Sequence, residues 1–144
     1  MQIILIEKLR GYIINNNPDV LLELQTDSLL TQYLEQKVYA LQPLITALLA
    51  ENKPAYIIEE LCLNELTKDL RPSKFNYIRN QLEEEFEEDY LRMQESGTLT
   101  YEIVNLIDVC KPVFEIVGFN EGKEDDRELR YAIIGSIKEY LESR

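Results

Sequence analysis

The sequence predicts an all-α fold, a single domain over residues 1–144 with six or seven helices around one core. Three observations carry this. Apolar residues recur at helical spacing along most of the chain. No stretch alternates apolar and polar with period two over a strand's length. The five glycines and five prolines are scattered singly, so they form no linker and no low-complexity tract.

The first helix is expected over residues 2–15, with Ile6, Leu9 and Ile13 on one face and Leu5 and Tyr12 beside them. Asn15-Asn16-Asn17 ends it, and Asn17 followed by Pro18 reads as the cap and first position of a short second helix. Residues 27–51 carry a long stripe of Leu30, Leu34, Val38, Leu41, Ile45 and Leu48, with Pro43 inside it, so this helix is expected to kink or break near Pro43. Asn52 and Pro54 repeat the cap-and-proline start for a helix reaching about Asp69 that buries Ile57, Ile58, Leu61 and Leu66.

After Pro72 one helix is expected to run to Ser96-Gly97, since Phe75, Leu82, Phe86 and Met93 fall within roughly 40° of one another at a helical pitch. Thr98 or Thr100 caps the next helix, through Ile103, Val104, Leu106, Ile107 and Cys110, which Pro112 interrupts. The loop from Gly118 to Lys123 leads to a final helix with the stripe Leu129, Ile133, Ile137 and Leu141, and Asp125 with Glu128 has capping-box spacing at its start.

Composition excludes whole classes of chemistry. The chain has 27 acidic against 15 basic residues, a formal charge of −12, and no histidine. Without imidazole there is no Ser-His or Cys-His nucleophile pair and no His-ligated metal. The acidity argues against nucleic acid as a partner, because phosphate affinity rests on Lys and Arg. The tyrosines could suggest base stacking, but the only basic group nearby is Arg71, Lys74 and Arg79, so they are expected at core edges. Met1 to Ile6 is apolar but meets Glu7, Lys8 and Arg10 at once, too short for a signal peptide or a span, so no membrane partner and a cytoplasmic location are expected. Cys62 and Cys110 lie in apolar surroundings and are expected to be inert buried thiols.

Glu83-Glu84-Glu85-Phe86-Glu87-Glu88-Asp89 places six acids in seven residues. Some all-helical nucleotide pyrophosphohydrolases hold Mg²⁺ with an E-E-x-x-E set, and Glu84, Glu85 and Glu88 have that spacing. The E-x-x-D that should follow is missing: Glu102 is followed by Asn105, and Glu121 by Glu124. On one continuous helix Glu83, Glu84, Glu87 and Glu88 would face away from the core, giving a solvated interaction face and no metal cage. Asp89 falls at the edge of the stripe, with Arg92 as its partner. Residues 117–128 match an EF-hand only at Gly122 and Glu128. Val117 and Phe119 stand where carboxylates must coordinate, so a calcium loop is rejected. No glycine-rich phosphate loop is present, and no cofactor is expected.

The stretch Arg71-Pro72-Ser73-Lys74-Phe75, Leu82 to Phe86, Ser96-Gly97-Thr98-Leu99 and Val113-Phe114, with Asn17-Pro18-Asp19, resembles a family of small uncharacterised all-helical proteins of Bacteroidetes, found also in their conjugative elements. The resemblance implies an all-helical domain and carries over no catalytic residue. The function expected is a non-enzymatic cytosolic helical domain that binds another protein or a second copy of itself. The alternatives are a metal-dependent pyrophosphohydrolase-like enzyme using Glu84, Glu85 and Glu88, and an acidic DNA mimic.

Overall fold

Helices form wherever the apolar spacing asked for them, and prolines and one charged run set where they end. The computed structural model describes residues 1–24 and 27–144, and among these the secondary structure is α-helix and one 3-10 turn, with no strand. There are ten α-helices among the described residues, more than the six or seven expected, because three expected helices are each divided in two. The chain separates into two compact units, residues 1–70 and 71–144, and the buried apolar residues form two clusters, one in each unit, where one core was expected.

The first unit contains α1 (Gln2–Asn16), α2 (Pro18–Glu23), α3 (Asp27–Tyr39), α4 (Gln42–Ala50), α5 (Ala55–Leu66) and a 3-10 turn at Lys68–Leu70. In α1 the fully buried line is Leu5, Leu9 and Ile13, at i, i+4 and i+8, with Ile6 half-buried beside it. Asn17 precedes α2, but its side chain makes no cap bond. It is buried and its amide donates to the Leu70 carbonyl at 3.3 Å.

The long helix expected over residues 27–51 breaks at Ala40-Leu41. Pro43 has no N–H and its ring would meet the Tyr39 carbonyl, so α3 stops at Tyr39 and Pro43 becomes the second residue of α4, where no N–H is needed. Asn52 does not cap α5. It adopts a left-handed φ of 59° and closes α4, its N–H bonding Leu49 O (3.0 Å) while the Lys53 N–H bonds Leu48 O (3.1 Å), an Asn-based C-terminal motif. Helix α5 ends at Leu66, short of Asp69, and buries Ile58, Cys62 and Leu66, whereas Leu61 is exposed. Helix α1 packs on α2, α3 and α5, and α4 packs on α5. Lys8 on α1 pairs with Glu59 on α5 at 2.8 Å.

The second unit holds α6 (Lys74–Glu85), α7 (Glu87–Ser96), α8 (Leu99–Val109), α9 (Lys111–Val117) and α10 (Arg127–Glu142). Ser73 caps α6, accepting from Asn76 N at 3.0 Å. The helix expected to run unbroken to Ser96 stops at Phe86, whose φ of −136° and ψ of 52° end α6 and begin α7. Charge acts in both directions at the break, which leaves Glu83, Glu84 and Glu85 at the unfavourable C-terminal end of α6 but relieves like-charge neighbours. In one helix Glu83–Glu87, Glu84–Glu88 and Glu85–Asp89 would be like-charge neighbours at i,i+4, each unfavourable by about 0.2–0.5 kcal/mol. After the break Glu87, Glu88 and Asp89 form the first turn of α7, where the helix dipole favours anions.

Gly97, at φ 74°, ends α7 in the left-handed conformation, and the Thr98 N–H closes on Met93 O at 3.0 Å. Pro112 divides α8 from α9 as Pro43 divides α3 from α4. The cap of α10 is Asp126, one residue beyond the expected Asp125, with Leu129 N donating to Asp126 Oδ2 at 2.9 Å, so Glu128 falls outside box register. Helix α6 packs on α7, α8 and α10 around Phe75, Ile78, Leu82, Ile103, Leu106, Leu129, Ile133 and Ile137. Among the described residues no helix is long and apolar enough to cross a membrane.

Candidate functional site

The acidic run is the first place to look, and the break at Phe86 disperses it. Glu84 and Glu85 belong to α6 and Glu88 to α7, so the one-helix E-E-x-x-E geometry on which metal chemistry would rest does not form. Arg130 of α10 takes both α6 carboxylates, its Nη2 lying 2.5 Å from Glu85 Oε1 and 3.8 Å from Glu84 Oε2. The hydrogen bond to Glu85 pushes the Arg130 guanidinium further up from its ordinary value. Glu83, Glu87 and Glu88 are exposed and make no ion pair among the described residues. The four-residue face Glu83, Glu84, Glu87 and Glu88 is therefore split between the last turn of one helix and the first turn of the next. Asp89 does pair with Arg92, at 2.6 Å. Among the described residues no group of three or more Cys, Asp or Glu is placed to hold a metal ion.

Cys62 and Cys110 are free and buried, and burial pushes both thiols up, Cys110 to about 12. Neither thiol has the environment of a nucleophile.

A different carboxylate sits where ligand chemistry is conceivable. Glu102 lies on the buried face of α8 with Ile103 and Leu106, and its side chain is only 7% exposed. A buried carboxylate is unfavourable unless it is hydrogen-bonded and charge-paired. Both conditions are met from α10 and just beyond it. Tyr140 Oη donates to Glu102 Oε2 at 2.8 Å. Arg144 Nη1 pairs with the same oxygen and also donates to Tyr140 Oη at 3.1 Å. The guanidinium carbon stands 5.3 Å from the centroid of the Tyr140 ring. Burial, then the bond to Glu102, raises the Tyr140 phenol, and the hydrogen bond to Glu102 raises Arg144.

Glu102 and Arg144 line a cavity of about 550 Å³ whose remaining walls are Asp89, Arg92, Met93, Ser96, Thr98 and Leu141. That volume lies within the range of ligand sites. Its hydroxyls are occupied: Ser96 Oγ donates to Met93 O (3.2 Å) and shares a hydrogen bond with Thr98 Oγ1 (2.9 Å). Among the described residues no hydrogen bond joins either hydroxyl to a carboxylate.

Sequence reasoning passed over this site. Glu102 entered only as the start of a failed metal motif. The legible signal was its phase: an acid one turn before Leu106, on the apolar face of the most apolar long helix. Tyr140 and Arg144 stand at i,i+4, the spacing at which side chains meet on a helix.

A second polar corner lies between α6 and the start of α10. A cavity of about 440 Å³ there is lined by Tyr77, Gln81, Glu84, Glu124, Asp125 and Arg130 among others. Tyr77 Oη and Gln81 Oε1 are buried there without a hydrogen-bond partner among the described residues. Water satisfies such groups in ordinary proteins. No family model matches the chain, and no curated protein and no solved structure matches it.

Proposed function

We propose that the protein is a non-enzymatic, cytoplasmic helical domain that acts by binding another protein, and that the partner presents a positively charged side chain to the cavity around Glu102. The observation that supports this reading is a carboxylate built into the core face of α8, 7% exposed, whose cation reaches it from a half-exposed position outside the helix. The acceptor is held in the packed face of a helix, while the cation reaches it from beyond the last residue of α10. The net charge of −12 favours a basic partner over a second copy, since like-charged copies repel and a basic surface is steered toward the site. The resemblance to small helical Bacteroidetes proteins belongs to the same proposal and adds no ligand to it.

The test is titration of the full chain with a peptide rich in both Lys and Arg, and with an acidic peptide of equal length, at low and raised ionic strength. Saturable binding of the basic peptide, weakened by salt and shifting backbone amide resonances of Met93, Glu102 and Leu141, supports the reading. Absence of saturable binding, or shifts confined to the first unit, sinks it.

A further inference from the structure

Resting on that reading, we infer that the Glu102 cavity is a subsite for an arginine side chain, held in this structure by the chain's own Arg144, which a partner's arginine displaces. The chemistry of the three groups selects a guanidinium over an ammonium. Glu102 Oε2 accepts at the buried end, Tyr140 Oη accepts beside it while donating to Glu102, and the Tyr140 ring offers a π-face. Arg144 meets both oxygens through one nitrogen, Nη1, so the preference for a guanidinium rests on its weaker hydration and its planar stacking on the ring, which a compact, strongly hydrated ammonium lacks.

Burial shows which partner is fixed. The Glu102 side chain is 7% exposed and that of Arg144 is 49% exposed, so the acceptor is held by packing and the guanidinium by contacts at its tip alone. Arg144 also lies beyond Glu142, the last residue of α10. Its departure therefore breaks no helical hydrogen bond, while Glu102 cannot leave without opening the core. The other charges facing the cavity cancel, because Asp89 and Arg92 pair with each other at 2.6 Å. Once Arg144 swings out, the unbalanced charge in the cavity is that of Glu102.

The consequence is competition. An incoming arginine must beat a tethered one, so affinity for a free guanidinium ligand is reduced by the fraction of time Arg144 is in residence. Residence for about nine-tenths of the time corresponds to about a tenfold reduction.

The experiment measures arginine amide, lysine amide and glycine amide, at equal ionic strength, against the wild-type chain, Arg144→Ala and Arg144→Ala/Glu102→Gln, by calorimetric titration and by thermal melting. Arg144→Ala is expected to melt below wild type and to regain melting temperature with arginine amide through mass action. It should also bind arginine amide about tenfold more tightly than wild type does. Lysine amide should give a weaker response and glycine amide none. The double variant, which keeps a hydrogen-bond acceptor for Tyr140 but no charge, should lose the response to arginine amide. If Arg144→Ala neither binds arginine amide nor regains its melting temperature, or if arginine and lysine amides act alike, the subsite is overturned. If that happens while the basic peptide still binds the wild-type chain, the subsite alone falls. If the peptide fails to bind as well, the binding reading falls with it.

Discussion

The break at Phe86 makes neighbouring glutamates unequal, and that inequality can be measured. Glu83 lies in the last turn of α6, where the helix dipole disfavours an anion, whereas Glu87 and Glu88 lie in the first turn of α7, where it favours one. All three are exposed and without ion-pair partners among the described residues, so replacement by glutamine changes charge and little else. Each replacement also reduces the net charge of −12, and that relief of self-repulsion is common to all three. Against this shared background Glu83→Gln should gain about 0.3–1 kcal/mol, and Glu87→Gln and Glu88→Gln should each lose about 0.3–1 kcal/mol. The gap between Glu83→Gln and either of the others is then about 0.6–2 kcal/mol. Urea unfolding at low ionic strength measures it without adding salt, and raised salt should narrow it. In a continuous helix from Lys74 to Ser96 the three positions would lie mid-helix and respond alike. Equal effects of the three substitutions would therefore refute the break.

Other outcomes follow from burial and capping. Asp126→Ala should destabilise by about 1 kcal/mol while Asp125→Ala stays near neutral, a contrast in denaturation midpoints that checks which residue caps α10. Leu106→Ala, at a fully buried position between α6 and α10, should cost about 2–5 kcal/mol by urea titration. Cys110 binds its proton more tightly folded than unfolded. Its contribution is thus fully present below the ordinary thiol value of 9.0 and is lost as pH climbs toward about 12. Alkaline titration of stability should show that loss, damped in Cys110→Ala, and a thiol reagent at pH 8 should label neither cysteine faster than local opening allows.

Helix content and most of the core were legible because burial repeats with the helical period: Leu34, Val38, Ile45, Leu48, Leu129, Ile133 and Ile137 are buried as their spacing implied. Pro43 and Pro112 marked real divisions because a proline cannot extend the helix before it. The division at Phe86 was not legible from hydrophobicity. Phe75, Leu82, Phe86 and Met93 form one stripe in the sequence, and an apolar stripe records nothing of the repulsion among the acids beside it. Asn52 misled for a related reason: asparagine caps helices at either end, and only the backbone shows that this one closes α4 with φ 59°. Leu61 was expected inside and lies outside, since α5 turns Ile58, Cys62 and Leu66 inward and only one face can be buried.

The candidate site was missed because acids were weighed by their number and not by where they lie. The six carboxylates from Glu83 to Asp89, five of them exposed, are largely accounted for by Arg130, Arg92 and the α7 dipole. One carboxylate on the wrong face of α8 is not so easily accounted for. A buried ion pair replaced by an apolar side chain of similar volume is often neutral or stabilising. Methionine at position 102 would extend the apolar face of α8 beside Ile103 and Leu106, and Arg144, already half-exposed, would return to water. Glu102→Met should then melt at or above the wild-type temperature while losing saturable binding of the basic peptide. That pairing would mark Glu102 as a residue held for recognition at the expense of stability. A large fall in melting temperature would assign it instead to holding α8 against α10, and the cavity would lose its claim to a partner.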